Sequence, residues 1–114
     1  MKCDTRLDAG WLVITLRGNA AEVSNAEWQE LRSSLSWTDL TKAICDVAEL
    51  TGASDRAVET LVGMAADAHH RGGKLVLVGM GHELYARFGV MGASRYLTLA
   101  VTVEEARRTF DLAR

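Results

Sequence analysis

Proline is absent from this chain of 114 residues. No Gly- or Ser-rich linker, internal repeat or low-complexity tract interrupts it either. Residues 1–114 therefore read as one continuous domain. Long apolar runs are missing as well. None approaches the ~20 residues that cross a bilayer, and Met1-Lys2-Cys3-Asp4 lacks the apolar stretch of a secretion signal. Neither sign of charge dominates: the formal net charge of −2 offers no basic field for nucleic acid. The only cysteines, Cys3 and Cys45, have no metal-ligand spacing, and a reducing cytoplasmic setting is expected. Cys45 lies in an apolar run and reads as a small buried hydrophobe.

Catalytic signals are also lacking. No nucleophile is paired with a base in a Ser-His-Asp or Cys-His set, so an enzyme is not expected. His69 and His70 are adjacent and would point about 100° apart on a helix, so they do not share one metal as an i, i+4 pair can. His82 stands alone, and Glu83 beside it makes no metal site. Gly79-Met80-Gly81 lacks the Lys-Ser/Thr and the glycine spacing of a phosphate loop. No cofactor and no metal are expected.

Hydrophobic residues make up 48 % of the chain, enough for a core without disulfides or metal. Their spacing gives an order of elements. Lys2–Leu7 and Trp11–Arg17 alternate as strands around Asp8-Ala9-Gly10, which suits a hairpin. Ser24-Asn25-Ala26-Glu27 is a capping box, with Val23 and Trp28 placed as a hydrophobic staple. Trp28, Leu31 and Leu35 continue at helical spacing, and the pattern fades near Ser36-Trp37. The roles of Trp11 and Trp37 stay open between core and interface. Ala43–Val47 is a nearly unbroken apolar strand of the doubly buried kind. Ser54 is an N-cap, with Asp55 favourably placed against the helix dipole. Val58, Leu61, Ala65 and Ala68 line the inner face of that helix, and Gly72-Gly73 ends it. Lys74–Gly79 is a second buried strand, Gly81–Phe88 a short helix and Tyr96–Val101 a last strand. Thr102-Val103-Glu104-Glu105 opens a final helix with Val103, Ala106 and Phe110 on its apolar side and Arg107, Arg108 and Arg114 near its end. The order ββαβαβαβα predicts an α/β fold: a mixed, mostly parallel sheet with about four helices.

Several segments, taken in order, resemble the STAS family, the domain shared by sulphate transporters and bacterial anti-sigma-factor antagonists. Val13-Ile14-Thr15-Leu16-Arg17-Gly18 is similar to the family's opening strand, and Ala43-Ile44-Cys45-Asp46-Val47 to its central strand ending in Asp. Arg71-Gly72-Gly73-Lys74-Leu75-Val76-Leu77 resembles the family's helix end and next strand, and Glu105-Ala106 its last helix. The resemblance implies a STAS-like fold and a non-catalytic, cytoplasmic regulatory module. It would bind a serine-kinase anti-sigma factor and so release a sigma factor by partner switching. The alternative it implies is an accessory subunit that docks on the ATPase subunit of a lipid transporter.

Members of the family carry a strand Asp followed by Asp-Ser-Ser-Gly-Leu or Asp-Ser/Thr, in which a partner kinase phosphorylates a hydroxyl. At that spacing this chain has Ser54-Asp55-Arg56-Ala57-Val58. Ser54 falls on the family's Asp, and Asp55 and Arg56 fall on the positions that usually supply the hydroxyl. The strand Asp is retained as Asp46. The resemblance therefore makes Asp46, Ser54, Asp55, Arg56 and Val58 the expected partner contacts. Three readings of the switch stay open: it is lost, Asp55 locks a phosphorylated-like state, or Ser54 is a shifted phosphoacceptor. The first is preferred, because Ser54 already has a role as N-cap. Thr51 is a further candidate hydroxyl in the same loop.

Overall fold

The computed structural model describes residues 1–8, 10–34, 42–93 and 98–112. Strand β1 (Lys2–Asp8) pairs antiparallel with β2 (Trp11–Asn19), forming the expected hairpin. A single turn of 3-10 helix (Ala20–Glu22) leads to α1 (Asn25–Ser34). Three strand–helix steps follow: β3 (Lys42–Thr51) with α2 (Asp55–His70), β4 (Lys74–Val78) with α3 (His82–Val90), and β5 (Thr98–Ala100) with α4 (Val103–Leu112). The strands lie side by side in sequence order, and every pair after the hairpin is parallel. Among the described residues no helix is long and apolar enough to cross a membrane.

Alternation along the strands gives the sheet two buried faces. Leu12, Ile14 and Leu16 of β2 and Ala43, Cys45 and Val47 of β3 belong to the larger core, which also takes in Trp28, Leu61, Met64, Leu84 and Phe88 from α1, α2 and α3. The residues between them, Val13 and Ile44, join Val76, Val78 and Ala100 in a smaller core with Ala106 of α4. The unbroken apolar runs arise because the central strands are covered on both sides. Trp11 belongs to this second core and lies beneath Lys42, whose Nζ is 5.4 Å from the ring centroid.

The capping hydroxyls act as the sequence suggests, while the Glu27 carboxylate of the first box reaches the Met1 ammonium at 3.4 Å. Ser24 Oγ accepts the Glu27 N–H at 3.2 Å, and Val23 packs against the core that buries Trp28. Thr102 Oγ1 accepts the Glu105 N–H at 3.1 Å. Here the reciprocal arm is displaced: Glu105 Oε2 accepts from Val101 N–H at 3.3 Å.

The main correction concerns β3, which runs on from Val47 to Thr51. Beyond Val47 only Leu50 is buried, so the apolar signal fades while the backbone keeps pairing. Glu49, Leu50 and Thr51 pair with Arg17, Gly18 and Asn19 across an irregularity in the β2 register. Leu35, Trp37 and Tyr96, the Phe110 side chain and Arg114 lie outside the described residues.

Candidate functional site

The start of α2 is built from the loop that leaves β3. Ser54 has extended backbone (φ −153°, ψ 159°), and its Oγ accepts the Ala57 N–H at 3.1 Å. Its carbonyl accepts the Val58 N–H at 3.2 Å. The hydroxyl thus satisfies one of the N–H groups that a helix start leaves unpaired. Ala57 and Val58 turn inward, and Asp55, Arg56 and Glu59 face solvent. Asp55 occupies the first helical position, where the macrodipole favours a negative charge.

Two further elements hold this turn. Arg87 reaches from α3 to place Nη1 3.4 Å from Asp55 Oδ1. On the other side, Gly52 (φ +68°) lies against Asn19: a Cβ at Gly52 would sit 2.4 Å from Asn19 Oδ1. That oxygen accepts the Ala21 N–H at 3.0 Å. Thr51 Oγ1 donates to the Gly18 carbonyl at 3.2 Å, so the end of β2 and the loop before α2 are tied together. Both hydroxyls near the site are therefore engaged with backbone. Neither Arg87 nor Asn19 carries a sequence signal for this role, because each acts through a contact between elements distant in the chain.

The structure brings Ser54, Asp55 and Arg56 together and separates the other two expected contacts from them. Val58 is only 1 % exposed and packs in the larger core, so it supports the helix from beneath and presents no surface. Asp46 is not at a strand end. It pairs with Thr15 and Val78, with five residues of β3 still to come, roughly 16 Å of strand. By alternation it shares a face with Ile44, on the α4 side of the sheet, and its Oδ1 accepts the Ala48 N–H at 3.0 Å.

Cys45 is fully buried, and burial pushes its thiol well above the usual range. His69, His70 and His82 are exposed, and among the described residues no cluster of His, Cys, Asp and Glu is arranged to hold a metal.

An ion pair braces α2 against α1. Arg32 Nε and Nη2 donate to the two Asp67 oxygens at 2.9 and 3.0 Å. Gly63 makes room for it, since a Cβ there would lie 2.5 Å from Arg32 Nη1. The hydrogen bond from Arg32 holds the Asp67 carboxyl below its ordinary pKa, more than offsetting partial burial. A carboxylate whose folded pKa is lowered stabilises the fold above the unfolded value and loses that contribution as pH falls through the folded one. Asp67→Asn should therefore cost up to about 1 kcal/mol at neutral pH, a limit set by the half-exposed guanidinium. The difference should close as pH falls below about 4. Urea unfolding of both proteins at neutral and acid pH measures it, and a pH-independent difference would assign the loss to packing.

The sheet order, the helix layers and the loop before α2 can be set beside known proteins. No curated protein matches the chain by sequence. Solved structures of the same fold do. SpoIIAA, an anti-sigma factor antagonist, in its unphosphorylated form superposes with a TM-score of 0.77 at 17 % identity, over 96 % of each chain. A variant of RsbS from Moorella thermoacetica gives 0.76 at 17 % identity, over 96 % of this chain and 98 % of that one. An anti-sigma factor antagonist from Mycobacterium paratuberculosis gives 0.77 at 14 % identity, over 95 % and 92 %. The model of the STAS domain matches residues 2–106, nearly the full length, and the chain belongs to the STAS domain family.

Proposed function

We propose that this STAS domain is a non-catalytic regulatory module that acts in the cytoplasm. Through the start of α2 it binds a serine-kinase anti-sigma factor, without a Ser/Thr phosphorylation switch. The observation that carries the reading is the composition of the exposed first turn. It presents Asp55 and Arg56, while the one nearby hydroxyl of the helix start, that of Ser54, is turned to the Ala57 N–H. Asp55 does not stand as an isolated negative charge, because Arg87 lies beside it. This favours a constitutive binder over one locked in a phosphorylated-like state. Matched charge across such a surface sets specificity and the rate of encounter.

The test is affinity purification from the source organism with the wild type, Ser54→Ala and Asp55→Ser as bait, followed by incubation of each with the captured partner and ATP. A kinase-fold anti-sigma factor should be recovered with all three. Phosphate should enter only Asp55→Ser. Phosphorylation of the wild type that Ser54→Ala abolishes would make Ser54 the acceptor and overturn the loss of the switch. Recovery of ATPase and permease subunits would place the protein with the transporter accessory subunits.

A further inference from the structure

The two edges of the sheet differ. β5 forms one and has three residues, whereas β1 forms the other and has seven. A long edge strand offers a row of backbone groups to another chain, and shortness or charge usually guards against this. Asp8 pairs with Trp11 across a two-residue connection. A connection of that length closes on a pair that exchanges hydrogen bonds, and such pairs alternate along the ladder. Asp8, Arg6, Asp4 and Lys2 therefore turn their backbone groups to β2, and Cys3, Thr5 and Leu7 turn theirs to the open edge. The side chains from Cys3 to Leu7 are exposed, and Leu7, a large apolar residue, is 69 % exposed.

The charges on β1 do not guard it against a second copy of itself. Set antiparallel about Thr5, two copies of Lys2-Cys3-Asp4-Thr5-Arg6-Leu7-Asp8 place Asp4 opposite Arg6 twice. Position 2, a lysine, falls opposite position 8, an aspartate. The backbone groups turned to the edge then meet one another, Thr5 with Thr5 and Cys3 with Leu7. The neighbouring registers that keep this match are two residues away. One puts Asp4 opposite Asp4, and the other puts Arg6 opposite Arg6. Charge thus favours one register and opposes those beside it. Apolar contact favours it too. Met1, Cys3, Thr5, Glu27, Glu30 and Leu31 line a groove of about 400 Å³ between β1 and α1. Leu7 of the second copy would lie beside Cys3, on the side of the sheet where that groove opens.

We infer that two copies of this chain join through β1, antiparallel and centred on Thr5, so that one sheet runs through both. The contact is isologous, which makes the two Asp4–Arg6 pairs equivalent. In it Asp4 lies between Arg6 of the second copy and its own Arg17, 3.1 Å away. The inference goes beyond the docking role proposed for the α2 start and uses no residue of that turn.

Sedimentation equilibrium of the full chain tests it. The wild type should approach twice the monomer mass as its concentration rises. Arg6→Asp leaves aspartates at positions 4 and 6 of the facing strands, and Asp4→Arg leaves arginines there. Each variant alone should dimerise at least about tenfold more weakly, because two attractive pairs become repulsive. Mixed in equal amounts, the two variants should recover the dimer, since every arginine then faces an aspartate. Circular dichroism checks that each variant is folded. Amide hydrogen exchange of the wild type needs no substitution: Cys3, Thr5 and Leu7 should gain protection as concentration rises, while Asp4 and Arg6 are protected throughout. A wild type that stays monomeric up to about 1 mM overturns the inference. So does a dimer that both variants leave unchanged, a mixture no tighter than either variant alone, or protection along β1 that ignores concentration.

Discussion

Val58→Asp should lower the stability of the fold by about 4 kcal/mol or more, whereas Arg56→Asp, two residues earlier, should fold as the wild type does. Val58 is 1 % exposed among the core residues of the larger cluster, so an aspartate there is a buried charge with no partner. Such a change costs about 4 kcal/mol or more, against the roughly 5–15 kcal/mol that holds a domain folded. Arg56 is half exposed and loses only a loose pair with Glu59, an effect within about 0.5 kcal/mol. Circular dichroism and urea unfolding of the two variants separate the outcomes. A folded Val58→Asp of near-normal stability would return Val58 to the surface and to the contact set. The practical point concerns loss-of-binding experiments: a substitution at Val58 that abolishes binding reports on folding, whereas Asp55 and Arg56 face solvent and can be changed without disturbing the core.

Gly79→Ala should be the most damaging of the small substitutions, lowering stability by about 3 kcal/mol. Gly79 directly follows β4 at φ +73°, a conformation that L side chains rarely adopt. Its added Cβ would lie 2.7 Å from Ala48 Cβ and 3.1 Å from Ala48 Cα, both on the neighbouring strand. The atoms in the way cannot swing aside as the end of a long side chain would. The residue also donates its N–H to the Ala100 carbonyl at 3.1 Å, joining the end of β4 to β5. Gly72→Ala is the internal control. Its φ of +77° is similar, but nothing lies within 4 Å of the added atom, so it should lose only the backbone part, about 1 kcal/mol. Thermal unfolding of the two variants compares them. Equal losses would mean that the close approach to Ala48 relaxes without cost.

The layered order of this fold was legible because its strands carry strong local signals. The runs at Ala43–Val47 and Leu75–Val78 announced doubly buried strands, and Ser24, Ser54 and Thr102 announced helix starts; their side-chain oxygens accept from the N–H groups of Glu27, Ala57 and Glu105. The end of β3 was not legible, since Ala48, Glu49 and Thr51 look like loop residues until β2 is placed beside them. Of the site, the turn Ser54-Asp55-Arg56 could be found by its offset from Asp46. The inward turn of Val58 follows from helical spacing, which sets it on the inner face with Leu61, and only the family pattern made it a contact as well. Asp46 was assigned to the site by its place in the family pattern, but pairing to Thr15 and Val78 sets it in the body of the sheet. The contribution of Arg87 and the tie between Asn19 and Gly52 depend on packing between helices and loops, which no local pattern encodes.

The strands of the sheet are arranged in the order in which they occur in the chain. A growing polypeptide can therefore add each strand to a finished edge, and no early pair waits for a late strand to be inserted. The edge is at its most vulnerable when β4 has docked and β5 has not. Leu75, Val76, Leu77 and Val78 then border a free row of backbone groups, and the side chains of Val76 and Val78 await the cover of α4. An apolar strand exposed in this way pairs readily with a neighbouring chain. For this domain the hazardous interval during synthesis falls between the emergence of β4 and that of α4.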